Sequence, residues 1–294
     1  MGATEPAPAR ILAALDPTGP SEEAERLALL LARATGAELV LATVFPLIRM
    51  RSYVHSRPYE SLLRREAERY LTGRADALRE RAPELAIGIE TTGSVSAAHG
   101  LHRLARELDA GMVVLGPSRR RSGGHRLPGP MGARFAHGAP CPVAVASAGP
   151  PADELSRIGV AFAPTEDGEQ ALRAAAALAD RAGATLQVIA VAAPLPWMDL
   201  VEPGFDGVSL QESYRRHVAH GVETAVAELP AAVPVDAQVP SGDPVDILAK
   251  ASVDLDLLVC GSRGHGPLGE VVLGSISHAV LESARCPVLI VPRG

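Results

Sequence analysis

The sequence predicts an α/β protein built from two tandem doubly wound domains, each a five-stranded, mostly parallel sheet flanked by helices. Two observations carry this expectation. Short apolar runs bounded by turn residues alternate with longer segments of helical periodicity, the pattern of buried parallel strands joined by crossover helices. The pattern then starts again half-way along the chain. Arg157-Ile158-Gly159-Val160-Ala161-Phe162-Ala163-Pro164-Thr165 repeats Arg10 to Thr18 at a spacing of 147 residues, and Cys286-Pro287-Val288 repeats Cys141-Pro142-Val143 at 145. A unit of roughly 140 residues is too long for a solenoid repeat and suits a domain. The expected domains are residues 1–148 and 153–294, and Ala148-Gly149-Pro150-Pro151-Ala152-Asp153 between them has linker composition.

Each element has a local reason. Arg10 to Asp16 is a first strand ending on a carboxylate, and Ser21 followed by Glu22 and Glu23 marks a helix start. Leu27, Leu30, Leu31 and Ala34 then share one face, and Gly36 stops the helix. Glu38 to Val44 is the second strand, and a long helix is expected from about Ser61 to Arg81. A short strand at Ile87–Glu90, a helix at Ala97–Leu108 and a strand at Gly111–Leu115 follow. A helix around Met131–Ala136 leads into the last strand of the half, Cys141–Ala146. In the second half, Gly183-Ala184-Thr185-Leu186 matches Gly36-Ala37-Glu38-Leu39, and Gly242-Asp243-Pro244 with its helix stands where Gly93-Ser94-Val95 stood. Leu255–Cys260 and Cys286–Pro292 are buried strands on either side of an amphipathic helix over Ile276–Glu282. The last strands of the two halves, Val143–Ala146 and Val288–Val291, should meet, since an apolar sheet edge is a liability unless covered. That pairing would make the chain a pseudo-symmetric dimer within one polypeptide, with further homodimerisation left open.

Composition narrows the function classes. The chain has 294 residues, 47% apolar and 21% charged, with a net charge of −6 and no basic face, which argues against nucleic acid as a partner. No apolar run is long enough for a membrane span, and residues 1–10 lack a signal peptide's apolar core. Cys141, Cys260 and Cys286 sit in or beside apolar strands, which suggests buried thiols in a reducing cytoplasm. The pairs His99-x2-His102 and His217-x2-His220 lack an obvious third ligand, so no metal site is expected.

The stretch that carries chemistry is Val259-Cys260-Gly261-Ser262-Arg263-Gly264, followed nine residues later by Gly274-Ser275. It lies between a strand's carboxyl end and a helix's amino end, where unpaired N–H groups and the helix dipole favour an anion. A P-loop is excluded, because the only lysine is Lys250 and Ala249 precedes it. A dinucleotide fingerprint over Gly264–Gly269 follows a late strand and is interrupted by Pro267. Ser262 and Ser275 lack the Gly-x-Ser-x-Gly elbow of a hydrolase.

Gly261-x2-Gly264-x9-Gly274-Ser275 resembles the nucleotide-binding signature of the ATP-binding branch of the universal stress protein family, and with the internal repeat the resemblance covers nearly the whole chain. It implies ATP, with or without Mg2+, in the second half, and a role as a stress-response regulator or sensor. By the same resemblance Ala161, Ala163 and Val191 would wall the adenine and Cys260 would lie near the ribose. Phosphates would meet Gly261, Arg263, Gly264, Gly274 and Ser275, the last as a helix N-cap, and Gly242, Ile276 and Ser277 complete the expected site. No general base or magnesium carboxylate can be named, so at most slow hydrolysis is expected. The alternative is a nucleotide-free scaffold of the same fold.

The two halves depart from this pattern in different places. In the first, Arg119 replaces the second glycine of the signature and Pro130 the serine, so nucleotide is expected in the second half only. In the second, the first-strand carboxylate of Asp16 has become Ala163.

Overall fold

A computed structural model of the chain describes residues 9–19, 21–47, 56–117, 121–122, 125–126, 135–136, 138–147, 152–193, 207–262 and 274–292. Apolar runs such as Ile11-Leu12-Ala13 and Leu257-Leu258-Val259 are buried throughout and form central strands, as continuous hydrophobic runs do in sheets covered on both faces. The first half contains β1 (Arg10–Ala14), β2 (Glu38–Pro46), β3 (Ile87–Ser94) and β4 (Met112–Leu115). A small ribbon of β5 (Arg121–Ser122) and β6 (His125–Arg126) follows, and then β7 (Val143–Val145). Its helices are α1 (Glu22–Thr35), α2 (Ser56–Arg81) and α3 (Ala97–Glu107). In the second half β8 (Arg157–Phe162), α4 (Glu166–Ala182), β9 (Thr185–Ala190), α5 (Gly207–Ala227) and β10 (Val235–Gln238) come first. They are followed by α6 (Pro244–Ala251), β11 (Leu257–Gly261), α7 (Ser275–Ser283) and β12 (Val288–Val291).

The two five-stranded sets form one ten-stranded sheet in the order β10-β9-β8-β11-β12-β7-β4-β1-β2-β3. Every neighbouring pair is parallel except β12 and β7, which run antiparallel with Val288 opposite Val145, Leu289 opposite Ala144 and Ile290 opposite Val143. The expected meeting of the last strands is therefore the seam of a continuous sheet, and each half covers the other's apolar edge. On one face α1 and α4 meet across the seam. A single buried cluster runs from Leu27 and Leu31 through Ala144 and Leu289 to Leu172 and Leu178.

The glycine stop signals of the helices hold, while the serine start signals do not. Gly36 and Gly183 close α1 and α4 with φ of 72° and 64°, left-handed values that a side chain would resist. Ser21 precedes α1 but makes no side-chain cap. Its hydroxyl instead accepts from the Asp16 N–H at 2.8 Å and donates to the Asp16 carbonyl at 2.7 Å, closing the turn after β1. The long helix of the first half begins at Ser56 rather than Ser61. Strand β3 runs to Ser94, four residues past its apolar part, because β2 offers partners as far as Pro46. Of the helix expected at Met131–Ala136, only Phe135 and Ala136 are among the described residues, and both are buried.

In each half the chain lays down three strands in one direction and then crosses back to the other side of the first. The strand order reverses between β1 and β4, and again between β8 and β11. Crevices at the carboxyl ends of strands flanking such a reversal are where open α/β sheets bind ligands.

Candidate functional site

At the second reversal point the turn after β8 differs from its counterpart after β1 in a way that begins with one side chain. In the first half, Oδ1 of Asp16 accepts hydrogen bonds from Thr18 N (2.8 Å) and Thr18 Oγ1 (2.7 Å), so the threonine is drawn back into the turn. In the second half Ala163 offers no carboxylate. The hydroxyl of Thr165 turns forward instead, accepts from Gly168 N at 3.2 Å and caps α4. Helix α4 therefore starts at Glu166, three residues earlier in register than α1, and its first turn lies against the end of β11. Two glycines permit that approach. A Cβ on Gly168 would collide with the Ala163 carbonyl, and one on Gly261 would lie 2.5 Å from the Asp167 carbonyl oxygen. Gly261, the first glycine of the signature, is thus needed for packing, whatever it does toward a ligand.

Between these elements lies an open cavity of about 370 Å³, within the size range of small-molecule sites. Of the residues expected from sequence, Ala161, Ala163, Val191, Cys260, Gly261, Gly274, Ile276 and Ser277 line it. Gly242 and Ser275 do not. Gly242 closes the segment before α6 with φ 145° and donates to the Ala192 carbonyl at 3.4 Å, while Pro244, two residues on, reaches the cavity. Ser275 is exposed and is the first residue of α7. The N-cap position belongs to Gly274, so the expectation of a capping Ser275 hydroxyl is corrected. Arg263 and Gly264 lie outside the described residues.

The cavity is electrically asymmetric. Helix α7 opens with no acidic residue in its first turn, and among the described residues no side chain caps it, so no described carboxylate offsets its leading N–H groups and dipole. Helix α4 opens with Glu166, Asp167 and Glu169, which neutralise its positive end. The buried Ser277 hydroxyl donates to the Gly261 carbonyl at 2.8 Å and pins the start of α7 to the end of β11. Cys260 presents a neutral thiol, since burial and then the neighbouring Cys286 push its pKa up to about 12. Its role in the wall is apolar. Among the described residues no three His, Cys, Asp or Glu side chains gather as a metal site, and His102 is occupied by the Phe135 carbonyl at 2.7 Å.

Sequence comparison decides the family. The model of the universal stress protein family matches twice, over residues 9–147 and 154–292. The chain belongs to the universal stress protein family.

Its relatives include a universal stress protein of Mycobacterium tuberculosis, 33% identical over 190 residues. That match spans 62% of this chain and only 62% of that relative's own length. A second M. tuberculosis universal stress protein is 29% identical over 235 residues, covering 78% of this chain and 77% of the relative. Among solved structures, a universal stress protein from Archaeoglobus fulgidus superposes with a TM-score of 0.66 over 97% of this chain and 96% of its own. At 20% identity that likeness establishes the fold.

Sequence reasoning missed one side of the site in this universal stress protein. Thr165, Asp167 and Gly168 of α4, Tyr214 and Val218 of α5, and Leu248 of α6 also line the cavity. The α4 residues carried a signal, a threonine three residues before a glycine with acidic residues between and after. The α5 and α6 residues carried none, because only the fold brings those helices to the strand ends. No helix among the described residues is long and apolar enough to cross a membrane.

Proposed function

We propose that this universal stress protein binds one adenine nucleotide, ATP with or without Mg2+, in its second half, and acts as a nucleotide-dependent regulator within the cytoplasm rather than as an enzyme. The observation that carries this reading is the cavity between the ends of β8, β9 and β11. It gathers both signature glycines that are described and the expected adenine wall in one place. The electrical asymmetry supports an orientation. Phosphates belong at the start of α7 near Gly274, where no acidic residue stands in the first turn and backbone N–H groups can donate to them, and not at the acidic start of α4. The nucleoside then lies against Ala161, Ala163, Val191 and Ile276, where apolar walls exclude water from the base. What the nucleotide supplies is a polyanion and a planar base that together bridge β8, β11 and α7. The chain's own contribution is to hold those elements in place, through Ser277 on Gly261 and Thr165 on Gly168. Occupancy would then be read out at the surfaces of the joined halves.

Calorimetric titration with ATP, ADP and GTP tests this. Saturable binding of adenine nucleotide at one site per chain, with GTP weaker, is the expected result. No saturable binding would favour the scaffold, and two equivalent sites would remove the proposed asymmetry between the halves.

A further inference from the structure

Among the described residues, two buried side-chain atoms have no hydrogen-bond partner, Oδ1 of Asp167 and Oε1 of Gln211. Both are acceptors, and both belong to the surroundings of the same cavity. Asp167 lines it. Gln211 sits beside it, with Nε2 directed at the carbonyls of Ala192 and Ala193 at 3.4 Å each, and Ala193 is a lining residue. A buried acceptor left without a donor typically costs about 1–3 kcal/mol, and more when charged. Natural folds leave few such atoms, so their coincidence at one cavity calls for a ligand that arrives with hydrogen-bond donors.

We propose that Asp167 is a specificity-determining residue of this site, its Oδ1 accepting a hydrogen bond from a donor on the nucleoside, either the exocyclic amine of the base or a ribose hydroxyl. The inference rests on the nucleotide reading above and deepens it. Comparison of the halves shows what differs around it. The first half keeps a carboxylate at the end of β1, Asp16, and its turn saturates Oδ1 with two donors from Thr18. The second half has Ala163 in place of that carboxylate and carries one instead at Asp167, where the repeat aligns Pro20. The two changes are coupled. Without an acceptor at 163, Thr165 is free to cap α4, and the extra turn of helix carries Asp167 over the cavity. The glycines at 168 and 261 leave room for that turn, and no described residue donates to Oδ1.

A phosphate is a poor partner, since at neutral pH it is mostly deprotonated and its charge meets three acidic side chains at this helix start. A metal ion held by protein side chains alone is disfavoured, because no second and third ligand gather beside Asp167 among the described residues, and an Mg2+ carried by the phosphates is distinguished by the chelator arm of the test. A nucleoside supplies the neutral donors that fit.

The test is titration of the full chain and of Asp167→Ala with four nucleotides, with Mg2+ and with a chelator present. The four are ATP, inosine triphosphate (which lacks the exocyclic amine), 2′-deoxy-ATP and 3′-deoxy-ATP. The wild type should prefer ATP over one of the three analogues by about fivefold to tenfold. Asp167→Ala should lose about that factor for ATP and lose the preference with it. The analogue concerned identifies the donor. Thermal unfolding of the ligand-free variant reports its folding, and if the alanine form does not fold, Asp167→Leu keeps the branched shape while removing both acceptor oxygens and should lose the same preference. ATP binding within twofold of wild type in a folded variant overturns the proposal. A loss shared equally by all four nucleotides, or one seen only with Mg2+, also overturns it and assigns Asp167 to general packing or to the metal. A wild type with no saturable binding removes the nucleotide reading itself, and this inference falls with it, whereas an insensitive variant of a binding wild type removes the inference alone.

Discussion

A single missing carboxylate at residue 163 propagates through three side chains, and the effect of each can be measured. Thr165 caps α4 only because Ala163 does not compete for it, as Asp16 competes for Thr18 in the first half. Replacing Thr165→Ala should cost about 1 kcal/mol, the usual worth of a threonine N-cap, and speed amide exchange at residues 167–169. Thr165→Ser should restore most of both. An unchanged exchange rate in the alanine variant would mean that packing against Gly261, not the cap, fixes the start of α4. The cysteines give a second prediction at this scale. Burial pushes the thiols of Cys141, Cys260 and Cys286 each up to about 12 from a usual 9.0. The fold therefore favours the protonated thiol. That contribution is fully present below pH 9 and is lost as pH rises from 9 toward 12, because the unfolded chain releases these protons first. Thiol reagents at pH 8 should label none of the three in the native protein within minutes and all three after denaturation. Rapid labelling of Cys260 in the native state would show that the cavity admits reagent to its wall.

At the scale of elements, α7 is where the signature meets the sheet. Gly274 has φ −73° and ψ 163°, extended backbone that any residue adopts, so Gly274→Val places a branched side chain at the cavity without straining the chain. Nucleotide affinity should fall tenfold or more, about 1.4 kcal/mol upward, through steric exclusion and lost N–H contacts. The matched Gly129→Val in the first half should leave binding nearly unchanged, because Arg119 and Pro130 depart from the signature there. Equal losses from both would mean that the first half binds as well. The elements also show what sequence could reveal. Strands and helices with continuous apolar patterning were legible to within a few residues, as for β11 and α7. The polar second half of β3 was not, since Thr91 to Ser94 become strand through their pairing with β2 rather than through propensity. The site was legible on the side where one local motif spans β11 and α7. It was illegible where it depends on Tyr214, Val218 and Leu248, whose helices reach it only through the crossovers. Ser277 falls between these cases. Its place in the motif was visible, but its bond to the Gly261 carbonyl, which makes it a clasp, was not.

For the whole molecule, the antiparallel pairing of β12 with β7 turns a tandem repeat into one sheet and one core. Leu289 sits at the centre of that seam, 2% exposed, opposite Ala144 and within the cluster that joins α1 to α4. Truncating a buried leucine in such a place costs about 2–5 kcal/mol, from lost burial and from the cavity left behind. Where that cost is felt distinguishes two architectures. If each half were an independent body, Leu289→Ala would loosen the second half, which owns β12, and leave the first untouched. Because the buried cluster is continuous across the seam, the two halves should open together, and the loss should be shared. Amide exchange at Ile11–Ala13 in β1 should then accelerate by about the same factor as at Ile158–Val160 in β8, although Leu289 belongs to neither strand. A single calorimetric transition that shifts down as a whole should accompany it. Acceleration confined to β8, or a transition that splits in two, would show the seam to be a contact between separately folding halves, and would leave no route through the sheet by which a nucleotide in one half alters the other.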